Sequence, residues 1–546
     1  MVILRNNRRG FLGGMLGLVA ASEGIGSPAQ GRREASDAEE RRRSAIKLRQ
    51  DAATRQGSRP MPIHLSNGDE ESLPRYVAAF TKGLPHSQLG EVVPAAYETL
   101  LRAIRSGKHS DFESVSIGSG RRLTSPQAAY SYVLEGADSH SFEIPLVPQF
   151  DGPEAAAEMA ELYWQALARD VPFAEYATSP VIREAAGDLS RMTAFSGPKM
   201  QGAVAPETIF RGNTQSDLQG HFISQFLWRP VPQGSGKLDQ RYATPKAGSD
   251  FMASYPEWLQ IQTGVPPWRQ CVFEDKPRYI RNGRDLAEYV HYDFLYQAFQ
   301  NAALILLDAG PETVLNYNSY RSENNPYVHS KVQDGFVTFG FAQTVDWVAR
   351  VTTAALKAAW CQKWLVHRRI RPEAFSGRVH HQKNGSGSYP IHSDLLQSPV
   401  LDAVKQRFGS FLLPQAYPEG SPLHPAYPSG HATVAGACVT VLKALFDEHA
   451  LLPDCVAPSA DGLSLVSCSH LAPTVGNELN KLAFNICCGR DFAGIHYRTD
   501  ATGGLALGEQ VAITVLQDLA QTLSEEFAGF QFHRFDGMIE NITTKT

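Results

Sequence analysis

The sequence predicts a mostly α-helical fold in which bundled helices are joined by long loops. Residues 154–169, 286–307 and 345–367 place apolar side chains three and four positions apart, which is the repeat of one helix face. Few stretches alternate apolar and polar residues as strands do. Loops rich in Pro, Gly, Asn and Ser lie between the helical patterns, notably at residues 310–337 and 376–399. These observations place the chain in the all-α class.

Composition indicates an ordinary folded protein. The 546 residues are 43% hydrophobic and 20% charged, with a net charge of -5, a balance typical of globular chains. No long basic run outside the N-terminus and no base-reading motif is present, so we expect no nucleic-acid partner. The longest apolar runs are shorter than the roughly 18 to 20 residues that a membrane span requires, so we expect no membrane span.

The N-terminal region divides into two segments. Within residues 1–30, Arg8 and Arg9 precede Phe11 and a short apolar stretch, a pattern that resembles a twin-arginine export signal. It predicts an exported protein, periplasmic or extracellular; a chance pair of arginines in a frayed tail would leave the protein cytoplasmic. Residues 31–60 are strongly charged, which predicts an exposed helix or arm. The globular domain is expected at residues 61–546.

Seven cysteines occur without a C-x-x-C metal spacing. Cys455 and Cys468 flank a loop rich in Pro, Ser and Asp, and could pair if the protein is exported. The odd number leaves at least one thiol free or intermolecular. Core packing is the default interpretation for Cys361 and Cys438.

The first cluster of functional interest is KWLVHRRIRP. Lys363 lies near a predicted helix end, and Pro372 forces Arg371 out of the helical conformation. Two cations at a helix end also fit a simpler explanation, a favourable interaction with the C-terminal dipole. This cluster alone therefore does not define a site.

The second cluster is HPAYPSGHATVAGA. Ser429 is a good helix N-cap, and Gly430 lets a ligand approach the backbone. Free N–H groups and the dipole at a helix N-terminus attract anions, and His431 projects from the first turn. Plain capping with an incidental histidine explains the same residues equally well.

The third cluster, GRDFAGIHYRTD, contains Arg490, His496 and, four residues later, Asp500. A histidine here is more often structural when considered alone. Together, the three clusters supply three cations, a hydroxyl, a helix N-terminus and two histidines. That set suits a tetrahedral oxyanion, phosphate or vanadate, because the planar guanidinium group binds two oxygens at once.

At these residues the chain resembles the vanadium-dependent haloperoxidases, in particular the algal bromoperoxidase branch and its bacterial relatives. The family is related to bacterial acid phosphatases and type-2 phosphatidic acid phosphatases. KWLVHRRIRPEAFSGRV, SPLHPAYPSGHATVAGA and GIHYRTDATGGLALGE carry the resemblance, which extends over most of the chain from about residue 60. Seven residues separate Lys363 from Arg371, as in the algal type, and His424 stands where fungal enzymes have Phe. Cys488-Gly489-Arg490 departs from the Ser-Arg that is typical of phosphatases.

The resemblance implies a role for each site residue. His496 would bond to vanadium, and a further set would hold the vanadate oxygens: Lys363, Arg371, Ser429, Gly430 and Arg490. His431 would also bind vanadate, through a hydrogen bond to its apical hydroxide, and act as the acid–base group. His424 would tune His431 or halide approach, and Lys363 would also polarise peroxide. Asp500 could orient a basic residue of the site, and Trp360 is as compatible with a pocket wall as with core packing.

The activity implied is oxidation of bromide and iodide by hydrogen peroxide to hypohalous acid, which halogenates small organic nucleophiles. An acid phosphatase with His496 as nucleophile is the alternative, and a non-catalytic oxyanion-binding protein is a third. The resemblance also implies two helical bundles, at about residues 61–330 and 331–546, and a homo-oligomer. Because hypobromous acid attacks thiols, we expect Cys487 and Cys488 to be buried. Oxygen-rich residues 324–334 suggest a structural calcium ion.

Overall fold

A computed structural model describes residues 32–118, 120–308, 320–468 and 472–544. The predicted export signal at residues 1–30 lies outside them. Residues 1–53 and 54–546 form separate units. Helix α1, Arg32–Gly57, begins in the first unit, and its described side chains are mostly exposed. This agrees with the charged helix or arm predicted at residues 31–60.

Helices dominate the second unit, and short antiparallel hairpins complete it. The helices are α2 (Asp69–Ser72), α3 (Pro94–Ser106), α4 (His109–Glu113), α5 (Pro153–Ala168), α6 (Pro180–Arg191), α7 (Tyr255–Gln262), α8 (Gly283–Tyr289), α9 (Gln297–Leu307), α10 (Phe341–Cys361), α11 (Pro372–Asn384), α12 (Ser393–Leu396), α13 (Pro399–Phe408), α14 (Gly430–Leu445), α15 (Val475–Phe492) and α16 (Arg498–Ala520). The hairpins pair β1 (Val231–Gln233) with β2 (Gly236–Leu238), β3 (Val456–Pro458) with β4 (Leu465–Ser467), and β5 (Gly529–His533) with β6 (Ile539–Thr543). The all-α prediction is confirmed.

Helix α14 is the central element, and it packs against α10, α15 and α16. Its contact with α16 is nearly backbone to backbone. A Cβ added at Gly508 would lie 2.0 Å from the Thr433 carbonyl oxygen, and one at Gly436 would lie 2.2 Å from that of Leu505. Glycine is required at both positions because any side chain would push the two helices apart. This close packing fixes the N-terminus of α14 against the start of α16.

Two predicted helices differ from the structure at informative places. The pattern at residues 286–307 is interrupted, because α8 ends at Tyr289 and α9 begins only at Gln297. The segment between them forms tertiary hydrogen bonds through His291 and Asp293, which compete with helix formation. The pattern at residues 345–367 is α10 followed by a π-helical turn, Gln362–His367. Single π-helical turns are frequent at functional sites.

One continuous apolar core runs from Val77 to Ile542. It crosses residue 330, so the division into bundles at residues 61–330 and 331–546 stays a prediction. No helix within the described part of the chain is long and apolar enough to span a membrane.

Most of the cysteines are buried in the second unit, and Cys271 is half-buried. Cys487 and Cys488 are fully buried, as predicted, and burial raises the pKa of both thiols well above its usual value. Cys455 and Cys468 are also buried, with their sulphur atoms 3.3 Å apart. Pairing of these two cysteines stays a prediction.

Candidate active site

Lys363 and Arg371 enter the site from the end of α10. Lys363 lies in the π-helical turn, fully buried, and its Nζ donates to the carbonyl oxygens of Pro425 (2.8 Å) and Ala426 (2.7 Å). Arg371 has extended backbone angles and directly precedes α11, as the proline that follows it predicts. The π-helical turn carries Lys363, and the extended backbone before Pro372 carries Arg371. Both cations therefore point toward the loop that precedes α14.

The N-terminus of α14 is built as predicted. Ser429 is the N-cap and its hydroxyl accepts the Ala432 N–H at 3.4 Å. The Ser429 N–H donates to the backbone oxygen of Asp500 at 2.9 Å because α14 and α16 are in close contact. The first turn therefore presents backbone N–H groups and the positive end of the dipole within the same region.

His496 is held by two partners. Its Nδ1–H donates to Asp500 Oδ2 at 2.8 Å, and its Nε2 accepts an N–H of Arg371 at 3.1 Å. Burial, then the nearby Arg371 and Lys363, lower the pKa of His496 well below its usual value. The ring is therefore neutral at physiological pH, with its lone pair on Nε2, which is the form that ligates a metal.

Asp500 reaches His496 through helix capping. His496 precedes α16, and the Asp500 carboxylate, in the first turn, accepts the Tyr497 N–H at 3.1 Å. The same carboxylate accepts a hydrogen bond from Arg369 at 2.8 Å. Asp500 thus contacts His496, a basic residue of the site, from the first turn of α16, where it also caps the helix.

His431 has a partner that sequence reasoning missed. Its Nε2 lies 2.9 Å from Asp293 Oδ1, in the segment that interrupts α8 and α9. Although burial opposes ionisation, His431 and Arg490 outweigh it and lower the pKa of Asp293 below its usual value. An ionised Asp293 holds the imidazole ring and stabilises the charge that appears when His431 takes a proton.

Arg490 projects from the last turn of α15. One guanidinium N–H donates to the Val290 carbonyl at 2.7 Å, and the guanidinium lies over the Tyr417 ring, 5.5 Å from its centroid. On that ring stacks His291, with centroids 3.7 Å apart. The Arg490 Nε is buried and has no hydrogen-bond partner among the described residues, so a donor remains available for a ligand.

The site carries a concentration of positive charge. Lys363, Arg371 and Arg490 are all buried, and within the described ranges no carboxylate forms an ion pair with any of them. Burial and repulsion from Arg371 lower the pKa of Lys363 well below its usual value, and burial lowers that of Arg371 to about 9. An anion bound between these groups would relieve their repulsion.

His424 and Trp360 form an adjacent wall. The Trp360 ring lies 4.8 Å from the His424 ring and 5.9 Å from Lys363 Nζ, centroid distances in both cases. Arg371 donates to His424 Nδ1 at 2.9 Å, so His424 contacts a predicted oxyanion-binding residue. Burial and the Arg371 charge lower the pKa of His424 well below its usual value, which keeps it neutral.

The structure gathers the residues predicted from the three clusters into one region. Contacts link His424 to Arg371, Arg371 to His496, and His496 to Asp500. Lys363 bonds to the carbonyls of Pro425 and Ala426, just after His424, and Ser429 is tied to Asp500 through the backbone. Sequence reasoning missed Asp293. Asp293 lies within residues 286–307, where the helical periodicity gives no sign of the break between α8 and α9 that brings its carboxylate to His431.

The family of the chain follows from comparisons with known proteins. The profile of the VCPO second helical-bundle domain matches residues 348–525. The vanadium-dependent bromoperoxidase of Ascophyllum nodosum is 36% identical, with 87% of each chain covered. That of Corallina officinalis is 34% identical, covering 86% of this chain and 91% of the relative.

A solved structure gives the same result at the level of the fold. The homohexameric second vanadate-dependent bromoperoxidase of Ascophyllum nodosum superposes with a TM-score of 0.86 and 30% identity, covering 92% of this chain and 90% of the other. Fold and site define a helical haloperoxidase with an oxyanion site. The chain belongs to the vanadium-dependent bromoperoxidases and is an enzyme of that type.

Proposed function

We propose that this enzyme oxidises bromide, and iodide, with hydrogen peroxide to hypohalous acid, which then halogenates small organic nucleophiles. The observation that carries the proposal is the set of three buried cations without a carboxylate partner in the described structure, gathered around the neutral Nε2 of His496. No observation favours the acid phosphatase alternative or a non-catalytic protein.

Vanadate fits the residues at this site. The unpartnered Nε of Arg490 and the third N–H of Lys363, whose other two N–H groups are bonded to carbonyls, remain as donors for oxygen. The Gly430 N–H and the Ser429 hydroxyl at the start of α14 add two more. Nε2 of His496 would be the vanadium ligand. When bound, vanadate supplies a Lewis-acidic V(V) centre that activates peroxide toward halide.

His431 is the proposed proton carrier. Its Nε2 is committed to Asp293, so its Nδ1 is the nitrogen that takes a proton from hydrogen peroxide and returns one when hypohalous acid is released. Asp293 stabilises the imidazolium between these two events. Lys363 donates to the peroxide oxygen and polarises it, since an N–H remains unused by its carbonyl partners.

His424 and Trp360 are the proposed positioning wall beside the cations. Neutral His424 fixes one arm of Arg371 through its Nδ1, and the flat indole of Trp360 covers Lys363. A halide that approaches along this wall meets the polarised peroxide next to a region of positive charge. We assign these two residues to halide approach.

A direct test uses vanadate dependence. Bromination of monochlorodimedone should appear only after orthovanadate is added, and p-nitrophenyl phosphate should not be turned over at a comparable rate. His496→Ala should abolish both vanadate binding and bromination because it removes the Nε2 that would ligate vanadium. Phosphatase turnover without bromination, or unchanged bromination in His496→Ala, contradicts the proposal.

Assembly, calcium and location are separate proposals. A homo-oligomer is supported by the hexameric state of the structural neighbour. Calcium at residues 324–334 stays a prediction; there Asp334 pairs with Arg321 at 2.8 Å. Export through the twin-arginine route is tested by fusing residues 1–30 to a reporter: a paired Arg8→Lys and Arg9→Lys change should block its export.

A further inference from the structure

Two histidines and a glutamate converge far from the oxyanion site, at the other end of α14. Glu448 and His449 follow that helix, and His533 is the last residue of β5. One ligand-capable atom from each lies within 4.8 Å of those of the other two. Glu448 Oε1 accepts both the ring Nδ1–H (2.6 Å) and the backbone N–H (2.9 Å) of His533. The rings of His449 and His533 are edge to face, with centroids 5.6 Å apart.

We infer that these three side chains bind a divalent transition-metal ion, with Zn²⁺ as the reference case. Imidazole nitrogen and carboxylate oxygen are the donors that Zn²⁺ and its neighbours in the series prefer. Tetrahedral zinc with bonds of about 2.0–2.2 Å requires ligand atoms roughly 3.3 Å apart. The present ligand atoms lie within 4.8 Å of one another, so metal binding requires side-chain rotations that bring them closer; His449 is the exposed member of the three. Water completes the fourth position.

The surroundings are compatible with a cation. The three residues border an open cleft of about 500 Å³ lined mostly by polar side chains. Arg534 also lines it, but its guanidinium lies 3.4 Å from Glu509, 3.3 Å from Asp536 and 4.0 Å from Glu540. Its positive charge is therefore balanced locally, and Glu448 contributes the negative charge that a divalent ion requires.

The location indicates a structural role. The metal would join the β5–β6 hairpin to the end of α14, whose first turn carries Ser429, Gly430 and His431. The helix has 16 residues, which separates its two ends by about 24 Å. An ion at one end cannot touch reactants at the other, but it would restrain the C-terminal hairpin and raise thermal stability by binding only the folded state.

The test measures zinc binding by the full-length protein after removal of metals with EDTA. Calorimetric titration should give one Zn²⁺ per chain at this site, and zinc should raise the melting temperature. His449→Ala should weaken binding roughly ten-fold or more and remove the zinc-dependent shift. Glu448→Gln keeps an acceptor for the His533 backbone and should weaken binding comparably, while the fold remains intact by circular dichroism.

Two controls separate this site from other zinc ligands. His329→Ala removes an exposed histidine that contacts one carboxylate, Glu323, at 3.1 Å, and should leave binding unchanged. His221, Cys455 and Cys468 form a second group of potential ligands, so Cys455→Ser is measured in parallel. Wild-type zinc affinity in His449→Ala, or loss of binding in Cys455→Ser alone, overturns the inference.

Discussion

Replacing Asp500 by asparagine should damage vanadate binding more than it damages the proton chemistry. The buried carboxylate accepts hydrogen bonds from Arg369, His496 and the Tyr497 backbone at 2.8, 2.8 and 3.1 Å. Asparagine has nearly the same shape, but one of its two oxygens becomes an NH₂ group. That NH₂ group must either face one of these hydrogen-bond donors or donate to Nδ1 of His496. In the second case the imidazole carries its proton on Nε2, the nitrogen that would bond the metal.

The size of the effect follows from these contacts. A hydrogen bond to a charged group contributes about 1.5–3 kcal/mol, and breaking a buried ion pair costs about 3–5 kcal/mol. Arg369 keeps a second carboxylate, Glu158, at 2.7 Å, so we expect a stability loss near the lower limit, about 3 kcal/mol. Loss of the group that orients a metal ligand lowers affinity roughly 10- to 100-fold. Asp500 also raises the pKa of Lys363 and Arg371 against the effect of burial, so its removal weakens their positive charge.

The assay is an orthovanadate titration of the vanadate-free protein, read out by the bromination rate. For Asp500→Asn, the half-saturating vanadate concentration should rise roughly 10- to 100-fold. Asp293→Asn is the matched control, since it leaves the oxyanion-binding set intact: its half-saturation should move little while kcat falls about ten-fold or more. The reasoning is refuted if Asp500→Asn keeps wild-type half-saturation, or if the two variants are indistinguishable.

Three further predictions concern packing, charge and thiols. Gly508→Ala should lower the free energy of unfolding, measured in urea, by roughly 1–3 kcal/mol, since its Cβ would overlap the Thr433 carbonyl. An unchanged free energy of unfolding would mean that α14 and α16 are not in close contact. Arg490→Lys should retain more vanadate affinity than Arg490→Ala, yet less than wild type, because a lysine keeps charge without the planar fork; equal titrations for all three proteins would contradict this. Burial raises the pKa of the half-buried Cys271 to about 11. Since the thiolate is the reactive form, its alkylation rate, followed by mass spectrometry, should rise about ten-fold per pH unit from 7 to 10, while Cys487 remains unlabelled. A rate that levels off near the ordinary thiol pKa of about 8.5 to 9 would refute the shift.

Much of the site was predictable because its signals are local. The N-cap role of Ser429 depends on residue type and on the helix that follows, and Pro372 alone excludes Arg371 from a helix. The spacing of Lys363, Arg371, Arg490 and His496 was enough to indicate an oxyanion site. Burial of Cys487 was expected on a different ground, the reactivity of thiols toward the hypobromous acid that the family resemblance implies.

Other features depend on contacts between segments distant in sequence, which periodicity cannot reveal. The 286–307 pattern predicts one helix, but His291 and Asp293 gain partners across the fold, and these outweigh the local preference for a helix. The π-helical turn that positions Lys363 is another case, since nothing in the local pattern distinguishes it from regular helix.

The sequence by itself determined the class of fold, the positively charged residues and the histidine that suits a metal, because helix period, capping and charge are properties of neighbouring residues. Only the tertiary structure decided which carboxylate serves which histidine: Asp500 for His496 through a helix cap, and Asp293 for His431 across a broken helix. The physical reason is that a buried charge must find its partner in space. The close packing of α14 on α16, permitted by Gly508, sets where those partners meet.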